Sequence, residues 1–254
     1  RFIAKNAIDE SVRASEYARL LKLQHKIVDV VWEDYLAYAD ILMRNKKSPL
    51  HAIEVALYKA ALSAKNDGIN CLIVGNGADS TFGGMDKLLA HDWTLEEFAK
   101  RYTFVEPSSV LKNPVSVLNI YEEYKTDSGI NVPAFLKTVH GIGIIQTFRN
   151  AINAAGCEIL TPYEDLYLNA SLDFGRIRSG DTKYILRDVY RSIFPNIDIP
   201  DKIPFARPMD QWLETWEGPT RDEFLSTIDL KTFTGDQKWI IYCLERFLNL
   251  FGEK

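Results

Sequence analysis

The sequence predicts an α/β protein: a parallel sheet flanked by helices in the first third, followed by a mainly helical remainder. Three observations carry that expectation. Residues 1–75 alternate in the order strand, helix, strand, helix, helix, strand, the pattern of a layered sheet with helix crossovers. The run Asn70-Cys71-Leu72-Ile73-Val74 is nearly all apolar, as strands buried on both faces of a parallel sheet are. From residue 94 onward helical patterns dominate.

The elements follow in order. Arg1 to Lys5 reads as a short strand, and Asp9 to Leu23 as a helix with apolar positions at Val12, Tyr17, Leu20 and Leu21. His25 to Val31 is β-branched enough for a second strand, and Trp32 to Met43 for a second helix. Ser48-Pro49 has the chemistry of a helix start, with Ser as N-cap and Pro at the first helical position. Leu50, Ile53 and Leu57 then share a face, and Gly68 is the stop. After the strand at 70–74, Thr94 and Glu97 form a capping box for a helix to about Tyr102. Further helices are expected over 115–125, 133–139, 142–155, 182–193, 221–228 and 237–251. Linkers are expected at 107–114, 161–165 and 195–208. The aromatic residues Trp239, Tyr242, Phe247 and Phe251 recur at near-helical spacing, which favours core packing.

Composition removes several classes of function. The chain has 254 residues, 46% apolar and 26% charged. That is ordinary for a folded domain and excludes a disordered chain. No run reaches the ~20 apolar residues of a membrane helix, so no membrane role is expected. The net charge is −5, which gives no basic footprint for nucleic acid. Cys71, Cys157 and Cys243 are isolated, and the four histidines are scattered. A structural metal is not expected, and unpaired cysteines fit a reducing, cytoplasmic setting. No signal peptide is apparent. The first residue, Arg1, reads as the start of a fragment or of a trimmed or processed product.

The richest stretch for chemistry runs from Leu72 to Met85 and contains Gly75, Asn76, Gly77, Asp79, Ser80, Gly83 and Gly84. It follows a strand, where open α/β sheets bind ligands. Glycines there let backbone N–H groups approach an anion, and Asp79 can hold Mg²⁺ against phosphate oxygens. The same residues also suit a tight turn with Asp79 as a helix cap. Lys183 and Arg187 fall on one helix face, and Lys202 sits in a proline-stiffened loop. Lysine and arginine suit a leaving phosphate, and they equally suit a solvated surface. Glu106 precedes Pro107 and is either a surface carboxylate or one that orients an amine nucleophile. His140-Gly141-Ile142-Gly143 follows a helix, so it is not a dinucleotide fingerprint.

Together these pieces resemble the synthetase domain of the asparagine synthase family. Val74 to Gly84 resembles its SGxGxDExFGG loop, and the form ending Gly84-Met85 is similar to β-lactam synthetase and carbapenam synthetase. Gly156 to Asp165 resembles GVExRxPFLD, and Lys183 to Arg187 resembles KxxLR. Asp201-Lys202-Ile203-Pro204-Phe205, with Pro208 and Trp212-Leu213, resembles RxKxxF…P…WL. Asp9-Glu10, Tyr17-Ala18 and His25 match the helix after the second strand. The motifs occur in family order over about residues 2 to 215.

The resemblance implies an adenine nucleotide α-hydrolase-like, Rossmann-like sheet spanning one synthetase domain over 1–254. Residues 1–90 would form its nucleotide-binding part and 91–254 its helical part. It implies an ATP-dependent amide-forming ligase: a carboxylate is adenylated with Mg-ATP and an amine or ammonia then attacks. ATP and Mg²⁺ are the implied cofactors. Asp79 would hold the metal, and Gly75, Asn76 and Gly77 would line the nucleotide, with Ile3 and Ala4 near adenine. Lys183 would contact pyrophosphate, Lys202 would stabilise the leaving pyrophosphate or the oxyanion, and Glu106 would orient the nucleophile. Three departures stand out. No SGGxDS loop precedes Phe2 to Ala4, which leaves that pyrophosphate loop absent from the chain. Asn76 stands where asparagine synthases usually have Glu and lactam-forming relatives have Tyr. Ile159-Leu160 lacks the family's Arg. No glutaminase domain is present, so nitrogen would come from ammonia, a separate glutaminase subunit or the substrate's own amine; self-association is left open. The alternative is a catalytically degenerate nucleotide-binding or interaction module of the same fold.

Overall fold

A computed structural model describes residues 1–200 and 207–252. The chain begins with parallel bridging between Phe2 and Val30, closed by hydrogen bonds from Ile3 N to Val30 O (2.9 Å) and from Val30 N to Arg1 O (2.8 Å). Between them lies helix α1 (Ser11–Leu20), which has no buried residue. Helices α2 (Trp32–Lys46) and α3 (Glu54–Asn66) lead to strand β1 (Cys71–Ile73). The two expected N-terminal strands are thus reduced to a bridge, but the parallel direction and the helix crossovers are as expected.

Two elements depart from expectation in ways the contacts explain. The third helix begins at Glu54 rather than at Ser48-Pro49. Segment 48–53 spends its backbone groups on tertiary partners instead. Leu50 N donates to Cys243 Sγ (3.1 Å), Leu50 O accepts from Trp239 Nε1 (3.0 Å), and Ala52 O accepts from Tyr35 Oη (2.6 Å). The helix expected over 221–228 is absent. That backbone forms an antiparallel bridge, Leu111 to Phe224, while Thr220 N and Arg221 N donate to Glu245 Oε1 at 2.5 and 3.2 Å.

β1 pairs in parallel with β4 (Glu158–Leu160), Leu72 lying opposite Ile159. This strand was not anticipated in the second half. Nor is β1 buried on both faces: Leu72 and Val74 pack on the core, whereas Ile73 is 72% exposed and Leu160 is 51% exposed. Period-2 alternation, with one face inward, accounts for this. After β1 come a single helical turn α4 (Ala78–Thr81) and helix α5 (Leu95–Thr103), which the Thr94–Glu97 capping box starts. The expected helix over 115–125 shrinks to Leu118–Glu122 and is followed by a small hairpin, β2 (Lys125–Thr126) with β3 (Gly129–Ile130). Residues 132–135 are α-helical, Leu136–His140 form a π-turn, and helix α6 (Gly141–Ala154) continues without a break. Helix α7 (Tyr184–Ile193) and the long C-terminal α8 (Gly235–Phe251) complete the main elements.

Among the described residues two larger apolar cores organise these parts, with a smaller third around Val105, Val110, Phe224 and Ile241. The first gathers Phe2, Val30, Tyr35, Leu42, Val55, Ile152, Met209 and Trp239 and draws on both sides of residue 90. The second gathers Leu88, Phe98, Tyr121, Phe135, Leu136 and Ile177. As expected for packing aromatics, Trp239 is buried, and Tyr242 and Phe247 lie against the first core, while Phe251 remains 40% exposed. α6 connects the two cores: it packs on α3 and on the π-turn. Among the described residues no helix is long and apolar enough to cross a membrane.

Candidate active site

The carboxyl end of β1 opens into a cavity of about 320 Å³ lined by Gly75, Asn76, Gly77, Asp79, Ser80, Met85, His140, Gly141, Ile144, Phe148 and Glu164. β1 ends on the glycine loop. Gly77 takes φ +89°, and a Cβ there would sit 3.1 Å from the backbone N of Glu164 and the backbone C of Tyr163. Only glycine allows that turn and that close approach together. At Gly84 an added Cβ would collide with the Asp79 carboxylate. Gly84 N donates to Asp79 O at 2.9 Å, which closes the loop beneath the acid. A Cβ at Gly75 would meet nothing within 4 Å, so its surroundings leave room for a ligand.

Asp79 and Lys183 come together here, with Nζ 3.1 Å from Oδ1. They stand 104 residues apart in the chain. Lys183 is the N-cap of α7, in the left-handed region at φ 52°, rather than a residue within the helix sharing a face with Arg187. Both partners are partly exposed, at 52% for Asp79 and 31% for Lys183, so the pair is a weak, breakable one. Across the cavity Asn76 Nδ2 donates to Glu164 Oε1 at 2.8 Å. Burial pushes the Glu164 carboxyl above its usual range; the Asn76 hydrogen bond and Arg149 oppose this, and Asp165 adds to it.

His140 enters from the π-turn. Its Nδ1 lies 3.0 Å from the Tyr102 hydroxyl. Burial lowers the His140 pKa, with Asp79 acting in the opposite direction. Burial raises the Tyr102 phenol to about 12, helped by Tyr121.

Of the residues the sequence singled out, Gly75, Asn76, Gly77 and Asp79 line this cavity and Lys183 joins it through Asp79. Ile3 and Ala4 do not line it; Ile3 bonds to Val30 and is 44% exposed. Glu106 lines a different cavity, with Pro107, Val117 and Tyr121, where Ser108 Oγ donates to its carboxylate at 3.3 Å. Lys202 lies outside the described residues. Sequence reasoning missed Glu164 and His140. Glu164 lies inside the Gly156 to Asp165 motif. His140 stood in a glycine motif that was judged only as a dinucleotide loop.

Among the described residues no group of three or more His, Cys, Asp and Glu side chains is arranged to hold a metal. A single carboxylate such as Asp79 suits Mg²⁺ that arrives with phosphate ligands and keeps its waters, because that ion needs only one or two protein carboxylates.

A parallel pair of strands packed with helices, whose carboxyl end carries a glycine loop over a cavity, places the chain in the α/β class. The particular family follows from comparison. The family model described as asparagine synthase matches residues 2–134, and the chain belongs to that family. The family is one of ATP-dependent amidation, acting on small molecules. No curated protein and no solved structure matches the chain.

Proposed function

We propose that the chain is the synthetase part of an ATP-dependent ligase that adenylates a carboxylate and passes the acyl group to an amine or ammonia. The observation that carries this reading is the Asp79–Lys183 pair at the mouth of the glycine loop. It sets a potential metal ligand beside a cation suited to phosphate.

In the proposed reaction a carboxylate oxygen attacks the α-phosphorus of ATP, and the bond to pyrophosphate breaks. The amine nitrogen then attacks the acyl carbon, AMP leaves, and the nitrogen gives up a proton. Gly75 and Gly77 would lie along the nucleotide, with Ile3 and Ala4 on its adenine side. Asp79 and the phosphates would share Mg²⁺, which would neutralise charge on the leaving group. Lys183 would release Asp79 and turn to pyrophosphate, a small cost for a half-exposed pair. Lys202 would supply the main charge on the leaving pyrophosphate or on the oxyanion. Glu106 belongs to this scheme only in a lactam-forming version, and the separate cavity around it weighs against that version.

A second reading, a nucleotide-binding module without catalysis, is favoured by Asn76. The amide at 76 cannot take a proton, and it is already committed to Glu164. The full-length protein with Mg-ATP and a panel of amino-acid carboxylates and amines decides between the two. Carboxylate-dependent AMP and pyrophosphate, abolished by Lys202→Ala, is the expected result. Turnover that survives Lys202→Ala overturns the assignment of Lys202. Mg-ATP binding with no AMP from any pair supports the module.

A further inference from the structure

We infer that His140 is a ligand-binding residue of this cavity, held by Tyr102 as the neutral tautomer protonated on Nε2, so that it offers an N–H donor to an anionic oxygen of the bound ligand. The identity of that ligand rests on the functional reading above; the state of the imidazole does not.

The first support is backbone geometry. His140 closes a five-residue π-turn, Leu136–His140, set directly before α6. Such turns are rare and are frequently found at functional sites. This one sets His140 and Gly141 in the wall of the cavity, facing the glycine loop. A Cβ on Gly141 would lie 3.8 Å from Ser80 Oγ, an ordinary van der Waals distance that sets the turn beside that loop.

The second support is the arrangement of protons. The Tyr102 ring is fixed in the second core, with ring centroids 4.8 Å from Phe135 and 5.9 Å from Phe98. Among the described residues its hydroxyl has one hydrogen-bond partner, His140 Nδ1 at 3.0 Å. A phenol has a single proton to give. If Tyr102 donates, the phenol proton and Nδ1 are both paired. If Nδ1 donates instead, the phenol proton is left unpaired in a mostly buried position, which is unfavourable. Tyr102 therefore donates. A neutral imidazole whose Nδ1 accepts must carry its proton on Nε2. With Nδ1 turned to Tyr102, Nε2 is the nitrogen left for the cavity. The raised pKa of the phenol and the lowered pKa of the imidazole both keep this pair neutral near pH 7.

The third support is what the cavity otherwise lacks. Asp79 and Glu164 are acceptors. One N–H of the Asn76 amide is given to Glu164, and Ser80 Oγ donates to Gly77 O at 3.2 Å. Lys183 is held by Asp79. Beside the second N–H of Asn76, the His140 N–H is thus a side-chain donor left uncommitted among the described residues that line the cavity. A ligand bearing phosphate or carboxylate oxygens needs such a donor, and a neutral one serves without forming a competing ion pair with Asp79.

The test starts with ¹⁵N-edited spectra of the imidazoles in the full-length protein, with the His140 signals assigned by their loss in His140→Phe. The Nε2-protonated form at neutral pH is expected, giving way to a mixture of tautomers in Tyr102→Phe. Mg-ATP affinity by calorimetry and the KM of the carboxylate substrate are then measured. His140→Phe should weaken one of them by about ten- to a hundredfold, the loss of one hydrogen bond to a charged group. His140→Gln, whose amide can reach the same point, should recover most of it. Weakened ATP identifies a phosphate oxygen as the partner, and a raised substrate KM at unchanged ATP affinity identifies the carboxylate. A proton on Nδ1, or unchanged values for both ligands, overturns the inference and leaves the ligase reading standing. Failure of the unsubstituted protein to bind Mg-ATP or pyrophosphate overturns the ligase reading and the ligand assignment with it, whatever the tautomer.

Discussion

The two cores that flank the cavity are built differently. The first is assembled from distant parts of the chain, from Phe2 to Leu250, and it tolerates a buried charge. Glu54 is fully buried there, accepting from Lys46 Nζ (2.7 Å), His51 N (2.7 Å) and Asn150 Nδ2 (2.6 Å). The second runs from Leu88 to Ile177, with no buried charge among its described residues, and is held by Phe98, Tyr102, Tyr121 and Phe135 in edge and stacked contacts. The first core fixes the glycine loop through β1. The second fixes His140 through Tyr102. A ligand between them reads the relative position of both, with α6 as the shared strut.

The sharpest way to break the comparison is to hollow out each core separately. Trp239→Ala and Phe98→Ala each remove a fully buried ring and should each cost about 3–5 kcal/mol. Trp239 draws together both ends of the chain, so its loss should lower the whole transition. Phe98 serves a core that is local in sequence, so its loss should melt that part first. Of the five tryptophans only Trp93 packs on the second core. Fluorescence of a Trp93→Phe background therefore follows the first core, and circular dichroism follows both. Separate transitions are expected for Phe98→Ala. Coincident transitions would show that α6 welds the two into one cooperative unit.

The buried charge supplies the next prediction. Glu54→Ala strips acceptors from Lys46, His51 N and Asn150 at once and should cost about 3–5 kcal/mol. Its pH dependence tests which force dominates. Burial raises the folded pKa of Glu54, with Lys46 and the hydrogen bonds opposing. The unfolded chain then loses this proton first as pH rises, so the folded state binds more protons in that window. Stability contributed by Glu54 is therefore fully present below its unfolded pKa and lost as pH rises through the folded one. Denaturant midpoints should show the deficit of Glu54→Gln narrowing as pH rises from about 4.5 towards neutrality. A deficit that widens would mean that the pairing with Lys46 outweighs burial.

How much of this was legible in the sequence depended on the range of the forces. Local chemistry was readable: the Thr94–Glu97 box, the strand at Cys71–Ile73, and the glycine loop that follows it. The family was readable because its motifs are ordered. What was lost required partners far away in sequence. Ser48-Pro49 has a sound helix-start signal, but Trp239 and Cys243 claim the backbone groups of Leu50. The β4 strand is three residues long and depends on β1 for its hydrogen bonds. Glu164 reaches the site by packing on Gly77 and bonding to Asn76, 88 residues away, and His140 is held by Tyr102. No local pattern announces either contact.

The smallest effect separates the cores most cleanly, because each has a helix started by the same device. In α5, Glu97 N donates to Thr94 Oγ1 (3.2 Å) and Thr94 N donates to Glu97 Oε2 (3.1 Å). In α8, Gln237 N donates to Thr234 Oγ1 (3.4 Å) and Thr234 N donates to Gln237 Oε1 (2.9 Å). Thr94→Ala and Thr234→Ala should each cost about 1 kcal/mol. Only one of the boxes titrates. The bonds from Thr94 hold the Glu97 carboxyl below its usual range, so its contribution is present above the unfolded pKa and fades as pH falls through the folded one. Gln237 has no proton to gain. Hydrogen exchange at the first turns of α5 and α8 between pH 6 and 3, corrected for the intrinsic rate, should show protection fading at α5 and holding at α8. Equal fading at both would mean that acid loosens the first core as readily as the second, through groups other than these caps.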